Sequence, residues 1–142
     1  MVILFDRYHL SEDIFEIVFA TKQQKIVGKL LIAELKLHDG ELNKSEMSFF
    51  ATKLHEGKIV AELDEPEFKG RTVKLSYNKR QFYDRILTPF RSMGMIDYDM
   101  YEKKYKLSKN FKKSMFEIGL MWDQEADKPA QKLNIKITEK LK

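Results

Sequence analysis

The most informative stretch of the sequence is residues 86–107, which read ILTPFRSMGMIDYDMYEKKYKL. Apolar residues at helical spacing lead up to Gly94, and glycine commonly ends helices because it tolerates a left-handed cap. The alternation of apolar and polar residues over 96–100 then predicts a strand. Residues 101–104 fit a turn and residues 105–108 a returning strand. This stretch therefore predicts a helix that runs directly into a β-hairpin.

Three capping boxes lie upstream of this hairpin, at Thr21–Gln24, Asn43–Glu46 and Asn78–Gln81. In each, a short polar residue is followed three positions later by a Glu or Gln that reaches back to the backbone. Apolar residues recur at helical spacing behind each box, which predicts helices ending near Gly40, Gly57 and Gly94. Pro89 is expected to kink the third helix. A fourth helix is predicted from about Lys109 to Gln124.

Other segments are less clear. Residues 2–5 suit a short buried strand, and residues 14–18 fit either a strand or a helix capped by residues 11–13. Residues 58–63 either continue the second helix or form a strand. Residues 64–70 are predicted to form a loop, and residues 72–76 and 133–138 alternate like strands.

Residues 86–96 resemble the end of the recognition helix in MarR-like and ArsR-like regulators, where an L-x-P-L-x-x-x-G-L-I pattern leads into the wing. Residues 105–111 (YKLSKNF) are similar to the returning Y-x-L-T-x-x-G strand of those proteins. The resemblance implies an α+β fold, a winged helix-turn-helix domain that is mainly α with a β-hairpin wing. Its core spans about 21–112 of a single domain 1–142, with 1–20 and 113–142 as extensions that pack on the core or in a dimer interface.

The chain departs from that family between Gly57 and Asn78, where about twenty residues replace the usual few. Either a β-hairpin is inserted there, or the second helix is longer and is followed by a strand. Asn110 also stands where the family often has glycine. Asparagine tolerates the left-handed conformation better than most residues, so this difference is mild.

Basic residues are concentrated in the second half of the chain. Residues 71–142 carry 17 basic and 9 acidic side chains, whereas residues 1–70 carry 9 basic and 13 acidic ones. Residues 78–113 alone have a net charge of +6. Such asymmetry is typical of a face that meets a polyanion, most commonly nucleic acid. The alternative is a solvated surface, because 21 of the 26 basic residues are lysines.

The resemblance implies a recognition helix at about 79–93 and a basic wing at about 96–108. Arginine can pair with guanine and glutamine with adenine, so Arg80, Gln81 and Arg85 suit base reading. Asp84 is expected to orient Arg80 or Arg85. The remaining candidates suit contacts to the DNA backbone, and Lys79 is the first of them. They are Lys79, Thr88, Lys103, Lys104, Lys106 and Lys109. The tyrosines Tyr98, Tyr101 and Tyr105 either contact phosphates or stabilise the hairpin.

Nothing in the sequence favours an enzyme or a cofactor. The histidines His9, His38 and His55 lack metal-ligand spacing, there is no cysteine, and no glycine-rich phosphate loop is present. The acids of residues 64–67 are most simply a solvated loop. We therefore expect no catalytic residue, no metal and no cofactor. The absence of a signal peptide or apolar span predicts a cytoplasmic, nucleoid-associated protein.

The predicted function is that of a transcriptional regulator that binds double-stranded DNA sequence-specifically. The alternative is a winged-helix protein–protein interaction module in a transcription, replication or chromatin complex. A small-ligand sensor would additionally need an apolar pocket. A homodimer is expected through residues 111–142, alone or together with residues 1–20, because the fourth helix is apolar on more than one face. The alternative is a monomer closed by pairing of the terminal strands.

Overall fold

The computed structural model describes residues 5–62, 72–130 and 136, and it has a mixed α+β architecture with antiparallel sheets. The predicted strand at residues 2–5 (save Phe5), the loop 64–70 and the strand 133–138 (save Lys136) lie outside the described residues. Within the described part of the chain, no helix is both long enough and apolar enough to span a membrane.

The helices are α1 (Ile14–Val18), α2 (Lys22–Leu37), α3 (Lys44–His55), α4 (Lys79–Phe82), α5 (Thr88–Ser92) and α6 (Asn110–Asp127). A π-helical segment, Tyr83–Leu87, joins α4 to α5 without a break. We call α4, this segment and α5 together the composite helix. The strands are β1 (Glu41–Asn43), β2 (Ile59–Glu62), β3 (Thr72–Leu75), β4 (Ile96–Asp99) and β5 (Lys104–Leu107).

The predicted helix starts are confirmed at all three capping positions. The Thr21 hydroxyl accepts a hydrogen bond from the Gln24 amide at 3.1 Å, and Asn78 accepts one from the Gln81 amide at 3.1 Å. At α3 the box is reciprocal: Asn43 Oδ1 accepts from the Glu46 amide at 2.8 Å, and Glu46 Oε1 accepts from the Asn43 amide at 3.0 Å. These side chains satisfy donors that the first turn of a helix leaves unpaired.

Residues 14–18, for which the sequence allowed either a helix or a strand, form the helix α1. Asp13 caps it, because its Oδ1 accepts a hydrogen bond from the Phe15 amide at 2.9 Å. Val18, the last residue of α1, and Phe19 after it are buried in the core. The Phe19 ring meets the Phe90 ring edge-on with 5.3 Å between centroids. The N-terminal extension therefore packs on the composite helix.

The irregularity expected at Pro89 lies just before it, in the π-helical segment. Proline has no N–H to donate to the carbonyl four residues earlier, so the regular ladder of hydrogen bonds cannot continue through it. The amide of Thr88 bonds to the carbonyl of Tyr83, five residues back, which adds one residue to the turn. Regular α-helix resumes in α5, with Pro89 in its first turn.

The three-stranded sheet has the order β1-β5-β4 and is antiparallel throughout. β4 and β5 form the predicted hairpin, with Ile96 opposite Leu107 and Tyr98 opposite Tyr105. β1 was not predicted. It pairs with β5, placing Leu42 opposite Tyr105, so the turn between α2 and α3 becomes the third strand of the sheet.

The segment between Gly57 and Asn78 contains a β-hairpin, and the alternative of a longer second helix is wrong. β2 and β3 pair antiparallel from Ile59 opposite Leu75 to Glu62 opposite Thr72. The insertion begins directly after α3, and its C-terminal end returns to the end of the same helix. The Tyr77 amide donates to the Leu54 carbonyl at 3.1 Å, and the Lys79 amide donates to His55 Nδ1 at 3.0 Å. The composite helix therefore starts against the C-terminus of α3 despite the insertion.

The core lies between α2, α3, the composite helix and the inner face of the three-stranded sheet. Its most deeply buried large side chains come from all of these elements: Leu31, Leu35, Leu42, Met47, Leu54, Phe82, Ile86, Leu87, Phe90 and Ile96. The composite helix supplies four of them at positions 82, 86, 87 and 90, which fixes the side that it turns away from solvent.

Candidate nucleic-acid interface

The open face of the composite helix is set by the burial of its other face. With Phe82, Ile86 and Phe90 in the core, the residues Arg80, Gln81, Arg85 and Thr88 are all exposed. The side chain of Arg80 is 91% exposed and lies 3.8 Å from Asp84, so the expected Asp84 contact is made to Arg80. A pair at this distance and exposure holds the guanidinium only weakly.

Lys79 lies apart from these exposed side chains. Its Nζ donates to Thr52 Oγ1 at 2.9 Å and to Ser48 Oγ at 3.2 Å, both on α3, and the side chain is partly buried there. Lys79 therefore joins the start of the composite helix to α3 and is not on the open face with Arg80. Its ammonium group stays beside two hydroxyls.

The β4–β5 hairpin with its turn, residues 96–107, is called the wing below, and its lysines differ in what surrounds them. Lys104 Nζ is 3.0 Å from Glu41 Oε1 on the neighbouring strand. Lys106 Nζ lies 2.6 Å from Glu102 and 3.6 Å from Asp99. The register places these residues on the outer face of the sheet, with Glu41 opposite Lys106 and Asp99 opposite Lys104. The contacts of Lys104 with Glu41 and of Lys106 with Asp99 therefore run diagonally between neighbouring strands.

These contacts shift the ionisation of the groups involved. The hydrogen bond from Lys104 lowers the pKa of Glu41, and the same bond raises the pKa of Lys104. The hydrogen bond to Glu102 raises the pKa of Lys106. Backbone amides of Glu102 and Tyr101 at the turn lower the pKa of Asp99. Two of the predicted phosphate-binding lysines are thus already paired with carboxylates.

Lys103 and Lys109 are not held in this way. Lys103 sits at the tip of the turn with φ of 55°, and Lys109 precedes α6. Both are exposed, and neither forms an ion pair within the described residues. The Lys103 carbonyl accepts from the Lys44 amide at 3.3 Å, so the wing tip adjoins the start of α3.

A cluster of rings and cations connects the wing to the composite helix. The Tyr98 and Tyr105 rings stack across the hairpin with 4.7 Å between centroids, which supports their role in stabilising it. The Arg91 guanidinium lies 5.5 Å from the Tyr98 ring and 5.8 Å from the Tyr105 ring. Lys44 Nζ lies 5.8 Å from the Tyr98 ring. Tyr101, by contrast, is 99% exposed at the turn.

Arg91 and the α3 residues Lys44, Ser45 and Ser48 were not among the predicted site residues. Arg91 is exposed beside the wing, and a shallow depression on α3 is lined by Lys44, Ser45, Ser48, Phe49, Thr52 and Lys53. The proximity of these residues to the wing comes from pairing of β1 with β5, a contact between distant parts of the chain. No local pattern in the sequence indicates it.

Tyr83 lies between α3 and the wing. Burial raises the pKa of its phenol, which the nearby Tyr105 also raises and a hydrogen bond with Ser48 lowers. The neutral phenol can donate or accept a hydrogen bond. Among the described residues no group of three or more His, Asp or Glu side chains is arranged to hold a metal ion.

Comparison with protein-family models, with curated proteins and with solved structures finds no match to this chain. The functional assignment therefore rests on the geometry of the residues described above.

Proposed function

We propose that this chain is a winged helix-turn-helix protein that binds double-stranded DNA sequence-specifically and regulates transcription. The composite helix would enter the major groove as the recognition helix, and the β4–β5 hairpin would be the wing. Arg80, Gln81 and Arg85 would read base edges, whereas Lys44, Arg91, Lys103 and Lys109 would contact the backbone.

The observation that carries this proposal is the exposure of Arg80, Gln81 and Arg85 on one helix whose opposite side is in the core. The β2–β3 insertion would have argued against DNA binding if its described residues covered this face. Instead, Arg80, Gln81 and Arg85 are exposed, and the amides of Tyr77 and Lys79, which follow the insertion, bond to Leu54 and His55 at the end of α3. The corner between α3 and the composite helix is kept, which is what a helix-turn-helix requires.

The order of elements gives further support. Strand β1 lies between α2 and α3 and pairs with the returning strand β5. Three residues separate the end of α5 at Ser92 from the start of the hairpin at Ile96. The tip of the turn adjoins the start of α3 through the Lys103–Lys44 backbone bond. Cations from three elements, Lys44, Arg91 and Lys103, are thereby placed around one wing.

The experiment is a fluorescence titration of a random 30-base-pair duplex at two salt concentrations. We expect salt-sensitive binding that the Arg80→Ala/Arg85→Ala variant weakens about tenfold, because binding to a random duplex depends on cations near the phosphates. On a selected site the loss should be larger, because a bidentate arginine–guanine contact is worth about 1–3 kcal/mol. The matched control is Arg7→Ala, which removes an exposed arginine at the other end of the chain. It should bind like the wild type. Selection of a preferred site from random duplexes then tests sequence specificity.

The protein–protein interaction module is favoured by a different observation, the neutralisation of Lys104 and Lys106 by Glu41, Asp99 and Glu102. A lysine that already pairs with a carboxylate adds less net positive charge for a phosphate to meet. Absence of DNA binding at low salt by the folded protein would overturn the DNA proposal and favour the interaction module. Equal loss in the Arg7→Ala control would show a general charge effect and no role for the composite helix.

A further inference from the structure

The outer face of α3 combines one exposed aromatic ring with short hydroxyl side chains. The buried residues of α3 recur at helical spacing, so the opposite side of the helix faces solvent. That side carries Phe49, which is 63% exposed and is the one exposed large apolar residue among the described residues of α3. Ser45, Ser48 and Thr52 lie around it and line the same depression. Because these side chains are short, they leave the Phe49 ring open to a ligand.

Three lysine ammonium groups lie around this ring. Lys53 Nζ is 5.2 Å from the centroid of the Phe49 ring. Lys79 Nζ donates to two hydroxyl groups that line the depression. Lys44 lines the end of the depression that is nearest to the start of α3. Cations therefore approach the exposed ring from both ends of the depression and from the side of the composite helix.

Little negative charge offsets these lysines. Among the described residues, neither Lys44 nor Lys79 forms an ion pair, and the partners of Lys79 Nζ are neutral hydroxyls. Lys53 Nζ lies 3.9 Å from Glu56, but Glu56 is nearer to Lys58, at 3.1 Å. The hydrogen bond from Lys58 is the main reason why the pKa of Glu56 is lowered. The depression thus keeps an unbalanced positive charge beside an exposed apolar ring.

A ligand that suits this surface needs carboxylates and an apolar side chain together. Carboxylates can accept hydrogen bonds from the lysines and from the hydroxyl groups. An apolar side chain would cover the Phe49 ring, and removal of aromatic surface from water is favourable. The phosphates of a DNA backbone supply negative charge but no apolar group for the ring. An acidic segment of a protein supplies both, and aromatic residues are enriched at the centres of protein interfaces.

We propose that the outer face of α3 docks an acidic segment of a partner protein. An apolar side chain of that segment lies over Phe49, and its carboxylates meet Lys44, Lys53 and Lys79. The lysines speed and orient the encounter, whereas the ring supplies the buried contact. The docking area is small, so the complex is weak and reversible. This inference does not depend on the DNA-binding proposal, and Lys44 is the residue that the two surfaces share.

The chemistry of the partner is tested by selecting random twelve-residue peptides, displayed on phage, against the immobilised full chain. We expect the enriched peptides to carry several carboxylates and at least one aromatic or large aliphatic residue, and to be released by salt. Parallel selection against the Phe49→Ala protein should not enrich them. Failure to enrich any peptide overturns the inference, and so does enrichment of neutral or basic peptides.

The site is tested by fluorescence anisotropy with a labelled peptide from this selection. We expect Phe49→Ala and Lys44→Glu/Lys53→Glu each to raise its Kd about tenfold, the effect of removing a hot-spot side chain. The matched controls are Phe116→Ala, which removes an equally exposed phenylalanine on α6, and Lys112→Glu/Lys113→Glu, which reverses two exposed lysines there. Both should bind the peptide like the wild type, and equal losses in these controls overturn the assigned surface. Circular dichroism of each variant shows whether the fold is intact.

Titration of the 30-base-pair duplex with the same variants separates this surface from the proposed DNA interface. Phe49→Ala should leave duplex binding unchanged, and Arg80→Ala/Arg85→Ala should leave peptide binding unchanged. If Phe49→Ala weakens duplex binding as much as peptide binding, the depression belongs to a nucleic-acid interface and the inference fails. Peptide binding at Phe49 by a protein that binds no duplex would support the inference while overturning the proposed function.

Discussion

The composite helix and the wing both carry basic side chains, yet these charges are held differently. On the helix, Arg80 makes one loose contact with Asp84, and Arg85 has no ion pair within the described residues. On the wing, Lys104 and Lys106 are bound to three carboxylates across the sheet. The difference shows that a count of basic residues does not measure a phosphate-binding surface. What matters is which charges the fold has already paired.

The first test of this comparison concerns the core packing beneath the composite helix. Phe90 is 1% exposed and meets the rings of Phe15 and Phe19 at 6.4 and 5.3 Å between centroids. We expect Phe90→Ala to lower the free energy of unfolding by about 3–5 kcal/mol, because it leaves a cavity under the composite helix. Urea denaturation measures this. A loss below 1 kcal/mol would mean that α1 and the composite helix do not share a core.

The junction between the helix and the wing depends on Gly94. Its φ is +83°, and an added Cβ would lie 2.9 Å from the Phe111 amide nitrogen and 3.0 Å from the Asn110 carbonyl carbon. These are backbone atoms that cannot move aside cheaply. We expect Gly94→Ala to cost about 2–3 kcal/mol of stability, from left-handed strain and the clash together.

Gly40 is the matched control for Gly94. Its φ is +87°, but the nearest atom to an added Cβ is Leu107 Cδ1 at 3.9 Å, an ordinary contact. Gly40→Ala should therefore cost only the strain, about 1 kcal/mol. Equal costs at the two positions in urea denaturation would show that the close approach at Gly94 is relieved without penalty.

Removal of the wing carboxylates tests the comparison at the level of binding. We expect Glu41→Gln/Glu102→Gln to strengthen DNA binding about three- to tenfold, because it frees Lys104 and leaves Lys106 only its longer contact with Asp99. The slope of log affinity against log salt concentration should steepen by the equivalent of up to about two phosphate contacts. The control Asp13→Asn removes a carboxylate that pairs with Lys29 at 3.0 Å, and asparagine can still cap α1. An unchanged salt slope in the wing variant would exclude both lysines from the interface.

The sequence predicted the elements whose signals are local. The three capping residues Thr21, Asn43 and Asn78 mark helix starts, and Gly94 marks the end of the composite helix, because each acts within one turn. Strand β1 was missed because its three residues are a strand only through pairing with β5, more than sixty residues later. The π-helical segment was also missed, since its one extra residue has no periodic signal of its own.

Some features of the candidate site likewise follow from local sequence patterns, and others depend on contacts between distant parts of the chain. The exposure of Arg80, Gln81 and Arg85 follows from the helical spacing of Phe82, Ile86 and Phe90, so the sequence alone could predict it. The contact of Lys79 with Ser48 and Thr52 depends on how α3 meets the composite helix. The pairing of Lys104 with Glu41 depends on sheet order. Neither could be inferred from residues that lie close together in the chain.

The smallest expected effect is the acid sensitivity of the wing. The pKa of Glu41 is lowered by its hydrogen bond with Lys104, and the pKa of Asp99 is lowered by the turn amides. A carboxyl group whose pKa is lower in the folded state stabilises the fold above its unfolded pKa, about 4 for these residues. This contribution is lost as the pH falls through the lowered value. We therefore expect the melting temperature of the wild type to fall more steeply between pH 5 and pH 3 than that of Glu41→Gln.

At high pH the lysines of the same network, and not its carboxylates, change their protonation state. The pKa of Lys104 is raised by Glu41, so its contribution is present at neutral pH and is lost only as the pH rises above the ordinary lysine value of about 10.4. Melting curves of the wild type and Glu41→Gln should therefore differ by a constant amount from pH 6 to pH 9. A difference that changes within this range would show that a group other than these carboxylates and lysines controls the wing, and it would weaken the contrast between the paired wing and the open helix face.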